Sequence, residues 1–413
     1  MDGLPIIARQ EAILFKIQSA AGTDANPAAN VDAIPFEAGS WSNGSDTQFQ
    51  ASTEVGIGLA SGAPLVIGQP VTLSFQFQLK GAGAGTTYSG SVTPPHHAVY
   101  RAAGLRGVFT AAIATAVATA GTTTTATLGT GFGTTAQMYR GMPFNVTAGP
   151  NANELLLCSD YTAGKVATFA DMVMGTAFTT SSSLALIANW TYAPTSPADA
   201  AARATDHPLA TVHYMIGGKR RRFIDVRGSI SMTGGSSRPG IATFTGTGVY
   251  VGEDDSAFPS TLAFASHSAP LLLQGANVSE AFLINRRALA IDTWTLTTNQ
   301  QVEAPSDPNS VAGFAEGIIG GRDSQFSCDP LQTFVATRNT LADIKAGSRY
   351  PGMIRAGYTS GNRWGLTMPV MQPVDRGDGS ARAGALTEAL QLKLINPGSD
   401  SNTRDNEFIL TFY

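Results

Sequence analysis

Charge is what this chain has least of. Asp, Glu, Lys and Arg make up 14% of its 413 residues, where an average soluble domain carries about 25%. The formal net charge is -4, and binding a phosphate backbone tightly needs a concentrated Lys/Arg surface. Tight nucleic-acid binding is therefore not expected. Cysteine is equally scarce. Cys158 and Cys328 stand far apart in no ligand spacing, which argues for two reduced, buried thiols over a disulfide framework. Met1-Asp2-Gly3-Leu4-Pro5 lacks a basic n-region, and Arg9, Gln10 and Glu11 break the apolar stretch behind it. A soluble product made in the cytoplasm is expected. The run of lowest polarity, residues 111–120, falls short of the ~20 apolar residues that a bilayer span needs, so no membrane partner is expected.

Catalytic spacings are also missing. There is no Gly-x-Ser-x-Gly elbow and no Gly-x-x-x-x-Gly-Lys-Ser/Thr loop, so neither an activated serine nor a phosphate cradle is marked. Residues 81–90 are Gly-rich, but they lack the lysine and helix start that would aim backbone N–H groups at phosphate. They read as a hairpin tip. Of the five histidines, at 96, 97, 207, 213 and 267, the adjacent pair would diverge on a helix without a carboxylate or cysteine in support. Asp375 and Asp378 lack the further oxygen ligands of a calcium loop. A glycan hydrolase needs two carboxylates across a cleft, and no local feature marks them. The expectation is no enzyme, no cofactor and no metal.

What is present is a word used twice. Leu73-Ser74-Phe75-Gln76-Phe77-Gln78-Leu79 alternates apolar and polar, as does Ile291-Asp292-Thr293-Trp294-Thr295-Leu296-Thr297. Strict alternation marks a sheet covered on one side. Each strand is followed by a capped helix. One is expected over residues 95–103, closed by Gly104. The other is expected over 330–346, with Asp329 as N-cap, Gly347 beyond the end and an apolar stripe of Leu331, Phe334, Val335, Leu341 and Ile344, which Asn339-Thr340 divides. A long polar hairpin ends each half, at 212–249 and 363–412. One helix against one sheet in each half is an α+β sandwich. With 43% hydrophobic residues and 45 Gly, the polar, weakly charged surface suits subunits that bury themselves against copies.

Residues 119–194 change character, with Thr122-Thr123-Thr124-Thr125, glycines and short apolar strands. They read as an inserted β domain. The first half is then residues 1–118 and 195–260, and the second is 261–413. The Gly/Ser-rich stretch 37–68 reads as an arm that orders against a neighbour, with Ser40, Trp41, Phe49, Val55 and Leu59 as its candidate contacts. Lys219, Arg220, Arg221 and Arg222 form the one basic cluster, and Glu253, Asp254 and Asp255 are its complement. These runs are expected to meet across a subunit boundary.

The order of segments resembles the tail tube (major tail) proteins of long-tailed bacteriophages. The resemblance rests on Glu11-Ala12-Ile13-Leu14-Phe15-Lys16-Ile17-Gln18 with Ala21-Gly22-Thr23-Asp24 and Pro27, then Thr72 to Leu79, then Pro94-Pro95 leading to Tyr100-Arg101-Ala102-Ala103-Gly104-Leu105. It continues through Val226-Arg227-Gly228-Ser229-Ile230-Ser231, Ala242-Thr243-Phe244-Thr245-Gly246 and Gly320-Gly321-Arg322-Asp323 before Asp329-Pro330. Each motif is weak and their collinear order carries the likeness, which covers most of the chain outside the insert.

The resemblance implies a mainly β (α+β) chain: a duplicated tail-tube-type β-sandwich or barrel with flanking helices, plus the insert on the exterior. It implies rings that stack into a hollow tube, a conduit for tape-measure protein and DNA, with tail terminator and distal tail proteins at its ends. The arm would stack the rings. Ser74, Gln76, Gln78, Thr293, Thr295 and Thr297 would face the channel. If each half is a complete fold, three chains make a pseudo-sixfold ring; otherwise the ring is a true hexamer. The competing reading is a host- or glycan-binding β-rich fibre or baseplate component. That reading predicts clustered exposed aromatics, whereas Trp41, Trp190, Trp294 and Trp364 are scattered along the chain.

Overall fold

In the computed structural model the described residues are 10–54, 62–262, 264, 268–274, 281–310 and 312–413. They are mainly β, 46% strand and 5% helix, in several antiparallel sheets with no closed barrel among them. The alternating strand Val71–Gln78 forms as its pattern demands. Leu73, Phe75 and Phe77 are fully buried while Gln76 is exposed. Phe15, Phe75 and Phe244 pack ring to ring at 5.4–6.3 Å, so Phe75→Ala should cost about 3–5 kcal/mol.

One strand order occurs twice in the large sheet. Glu11–Ile17 pairs with Ala210–Ile216, then Lys219–Gly235, Ile241–Asp255 and Val71–Gln78. Phe282–Ile284 pairs with Tyr350–Ala356, then Trp364–Arg382, Ala385–Leu394 and Gln325–Cys328. Inside each unit the strand next to the edge also meets an outer segment, Ser42–Asn43 in the first and Thr293–Thr297 in the second. A two-stranded hairpin follows each, Thr47–Gln50 with Leu65–Gly68 and Gln301–Glu303 with Ile318–Gly321. The second strands of these hairpins start at 65 and 318, a shift of 253 positions, which also relates Ser42 to Thr295 and Ser74 to Ser327.

The helices depart from expectation. The first covers only His97–Ala102, with Gly104 beyond it at φ +73°. The second covers only Thr340–Ala346: Asn339 is its N-cap, accepting from the Ala342 N–H, and Gly347 closes it at φ +61°. Asp329 does not cap it, because its carboxylate accepts from the backbone N–H groups of Asp292 and Thr293 and pairs with Arg382. Leu331 is drawn into a bridge with Thr387. The expected apolar stripe does not form, and Phe334, Val335 and Leu341 are exposed. A third helix, Ala200–Asp206, arises in the Ala-rich stretch, capped by Asp199. By position it is the counterpart of Thr340–Ala346, since three residues separate each from the next strand.

Between the strands Leu105–Thr110 and Asn189–Pro194 lies a separate seven-stranded sheet, running from Ile113–Val117 to Ser183–Leu186 in sequence. It has its own core, including Phe132, Tyr139, Phe144, Tyr161 and Phe169. The boundaries read from composition differ from this extent, because Asn189–Pro194 joins the large sheet between Leu105–Thr110 and Ile409–Phe412. The small sheet is fixed to the second unit by Leu157, Leu283, Met353 and Tyr413 and by the buried ion pair Asp171–Arg355 at 2.9 Å.

Candidate functional site

The six residues expected to face a channel lie on one side of one sheet. Pairing runs from Val71–Gln78 through Ile241–Asp255, Lys219–Gly235, Thr293–Thr297 and Gln325–Cys328 to Ala385–Leu394. Registers align Gln76, Thr243, Ser231, Thr297, Gln325 and Lys393 in one row. The next row is Gln78, Ile241, Thr233, Thr295, Ser327 and Gln391. Ser74 stands opposite Thr245 and Ser229, and Thr293 opposite Gly235. Six strands at ~4.8 Å spacing make this face roughly 24 Å across.

The alternate residues form the other side. Phe77, Ala242, Met232, Leu296, Phe326 and Leu392 are at most 1% exposed. The sheet is thus apolar beneath and hydroxyl- and amide-bearing above. Lys393 is the one ionisable residue in the two rows, and Asp323 neutralises it at 2.9 Å. Water can hydrate such a face everywhere, yet it offers a phosphate no unpaired cation in those rows.

The charge runs do meet, but inside one chain rather than across a subunit boundary. Antiparallel pairing sets Lys219, Arg220 and Arg221 opposite Asp255, Asp254 and Glu253. Lys219 and Arg221 reach Glu253 at 2.7 and 2.9 Å, while Arg220 and Arg222 reach Asp254 at 2.8 and 3.4 Å. Hydrogen bonds from Lys219 and Arg221 hold the Glu253 carboxyl below its ordinary pKa.

The arm is divided. The Ser40 hydroxyl donates to the Glu37 carbonyl at 2.6 Å and accepts from the Gln76 N–H at 3.1 Å. Trp41 stacks on Tyr214, ring centroids 4.5 Å apart, so it anchors the base of the arm instead of reaching outward. Phe49 is 67% exposed on the hairpin beyond, beside Leu65 and Val66. Val55 and Leu59 lie outside the described residues.

Sequence reasoning missed the residues that join the two units. Arg227 is buried, donates to the carbonyls of His207 and Gly317 at 2.6 Å each, and pairs with Glu316 at 3.2 Å. The available signal was an arginine set between Val226 and Gly228, apart from the Lys219–Arg222 run on the same strand. His207 Nε2 donates to the Thr195 carbonyl at 3.2 Å. Burial first, then Arg227, Arg322 and Arg203, lower its pKa to about 4.

A cleft of about 680 Å³ beside these groups is lined by Asp199, Arg203, Arg322, Asp405 and Glu407 among others. Its inner carboxylates are occupied, since Arg322 reaches Asp405 at 2.7 Å and Glu407 at 2.9 Å. His96 and His97 diverge, to the Pro35 carbonyl and the Tyr192 hydroxyl. Among the described residues no three His, Cys, Asp or Glu side chains gather into a metal-sized group. No known family model matches this chain, and a search of the curated proteins finds no relative.

Proposed function

We propose that this chain is a structural protein of a phage tail, a subunit with a duplicated tail-tube fold whose copies close into rings. The rings stack into a hollow tube that conducts tape-measure protein and then DNA, with terminator and distal tail proteins at its ends. The observation that carries this reading is the polar, nearly uncharged face shared by both strand units over an apolar core. A conduit for DNA must be wet but must not pair with phosphates. Hydroxyl and amide side chains meet both needs.

Assembly by sheet edges turns an aggregation hazard into an adhesive, and a closed ring needs two complementary surfaces on each chain. Two units per chain favour three chains per ring with pseudo-sixfold symmetry over six. The seven-stranded sheet sits outside the bore in this arrangement. No catalysis is assigned, and the cleft carboxylates act as partners of Arg322. The subunit is made in the host cytoplasm and ends in the virion.

Negative-stain electron microscopy of the purified chain tests the reading. Rings or tubes with a central channel are expected. A persistent monomer at high concentration would overturn it.

A further inference from the structure

We infer that the contact joining the two units inside one chain is repeated between chains, so that residues 40–44 of one copy lie against the free edge of residues 375–381 of the next. The inference rests on the ring-forming reading and names its lateral contact.

Inside the chain, Thr293–Thr297 is held on both sides. It pairs with Gln325–Cys328 of its own unit and with Lys219–Gly235 of the other. Its counterpart in the first unit, shifted by 253 positions, is residues 40–44, which contains Ser42–Asn43. That segment pairs with Val71–Gln78 of its own unit and, among the described residues, with no strand on its outer side. The counterpart of the opposing edge is equally open. Ser74, Thr245 and Ser229 stand in line as Ser327, Gln391 and Asp375 do. Ser231 therefore corresponds to Gly377. Beyond Met371, the strand Trp364–Arg382 pairs only with Ala385–Leu394 among the described strands.

Two sets of side chains report the same vacancy. Trp41 and Trp294 are counterparts. Trp294 is 1% exposed, covered by the opposing strand at Gly234, where a Cβ would lie 3.0 Å from its indole. Trp41 is only half-buried. The following hairpins share a register, with Phe49 opposite Val66 and Val302 opposite Ile319. Val302, Ile318 and Ile319 are half-buried, and a Cβ on Gly104 of the first unit would lie 2.8 Å from the Ile319 side chain. Their counterparts Phe49, Leu65 and Val66 are 67%, 62% and 54% exposed. Val374, on the open edge, is 48% exposed as well. An exposed edge beside an apolar patch is a site for strand addition, and the occupant whose shape is already present in this chain is a second copy. The contact is head-to-tail, as ring closure requires. It also gives the arm a lateral role in place of the axial one expected from the sequence.

Registers transfer directly up to the shift between Asp378 and Ala381. Ser231 opposite Thr297 becomes Gly377 opposite Gly44, and Met232 opposite Leu296 becomes Asp378 opposite Asn43. A Cβ at Gly44 or Gly377 meets nothing closer than 3.5 Å, and the native Cys158 and Cys328 are buried. Full-length Gly44→Cys and Gly377→Cys chains are mixed, allowed to assemble, sized, oxidised and run without reductant. A cross-linked dimer is expected from the mixture and from neither variant alone. Asn43→Cys with Asp378→Cys serves as a second pair should a glycine variant fold poorly. Chains carrying both cysteines of a pair should form a ladder that stops at three. Assembled particles in which neither pair cross-links would overturn this contact and leave the tube reading standing. Failure of the unmodified chain to assemble would overturn both.

Discussion

Trp41 and Trp294 hold the same place in two copies of one strand arrangement, yet one is half-buried and the other sealed. The difference lies outside their own units. Each packs on its own sheet, Trp41 against Tyr214 and Phe75, Trp294 against Phe326 and Trp364. Among the described strands, only Trp294 has one from the other unit laid beside it. The two hairpins teach the same lesson, since similar apolar residues in one register are covered in the second unit and bare in the first. Burial here is decided by the neighbour a unit has, and among the described residues no strand pairs with the outer side of Ser42–Asn43.

The largest effect should come from emptying the sealed site. Trp294→Ala removes a fully buried indole at the unit junction, and urea unfolding should show a loss of about 3–5 kcal/mol. Trp41→Ala, at the half-covered site, should cost clearly less in the isolated chain. Equal losses would break the comparison.

Acid should loosen the same junction. His207 has a folded pKa of about 4, below the ordinary 6.5, because burial disfavours its charged form. The unfolded chain therefore takes the proton first. Stability is fully present above pH ~6.5 and is lost as the pH falls toward 4, by on the order of 3 kcal/mol for this group. His207→Gln should flatten that limb in melting curves taken between pH 7 and 4, and an unchanged limb would assign the loss elsewhere. Arg227→Met comes next. It strips the His207 and Gly317 carbonyls of their donor, at a cost of about 1–3 kcal/mol. Gln372→Met on the open strand should change the isolated chain by less than ~0.5 kcal/mol. Denaturant midpoints of the two variants make the check.

How much of this could be read from sequence follows from the range of each signal. Period-two alternation is local, so Val71–Gln78 and Thr293–Thr297 and their polar faces were legible, as were Gly104 and Gly347 as helix stops. Complementary charge runs were legible as partners but not as strands of one hairpin, because register is a long-range property. The second helix failed for a similar reason. Its apparent cap, Asp329, is claimed by the backbone of residues 292 and 293, far away in sequence. That the chain is doubled is legible, but the matching of elements is not: alternation equates Leu73–Leu79 with Ile291–Thr297, whereas the 253-residue register equates Val71–Gln78 with Gln325–Cys328 and Thr293–Thr297 with residues 40–44. Ser40-Trp41-Ser42 and Thr293-Trp294-Thr295 are the visible trace of that register, three residues long and so indistinguishable from chance in the sequence.

The smallest effect on the isolated chain should come from the arm, and it is also the most discriminating. Phe49, Leu65 and Val66 cover little within their own chain, so changing all three to Ser leaves the burial of the monomer almost unaltered. The unfolding free energy should move by less than ~0.5 kcal/mol per site. Val302→Ser with Ile319→Ser, at the counterpart positions, exposes no bare patch but breaks a made contact, and should lower the melting temperature. Under assembly conditions the order should invert: the arm variant stays monomeric by sedimentation velocity. An arm variant that melts early, or that assembles normally, would mean its apolar side chains have no partner on a second copy.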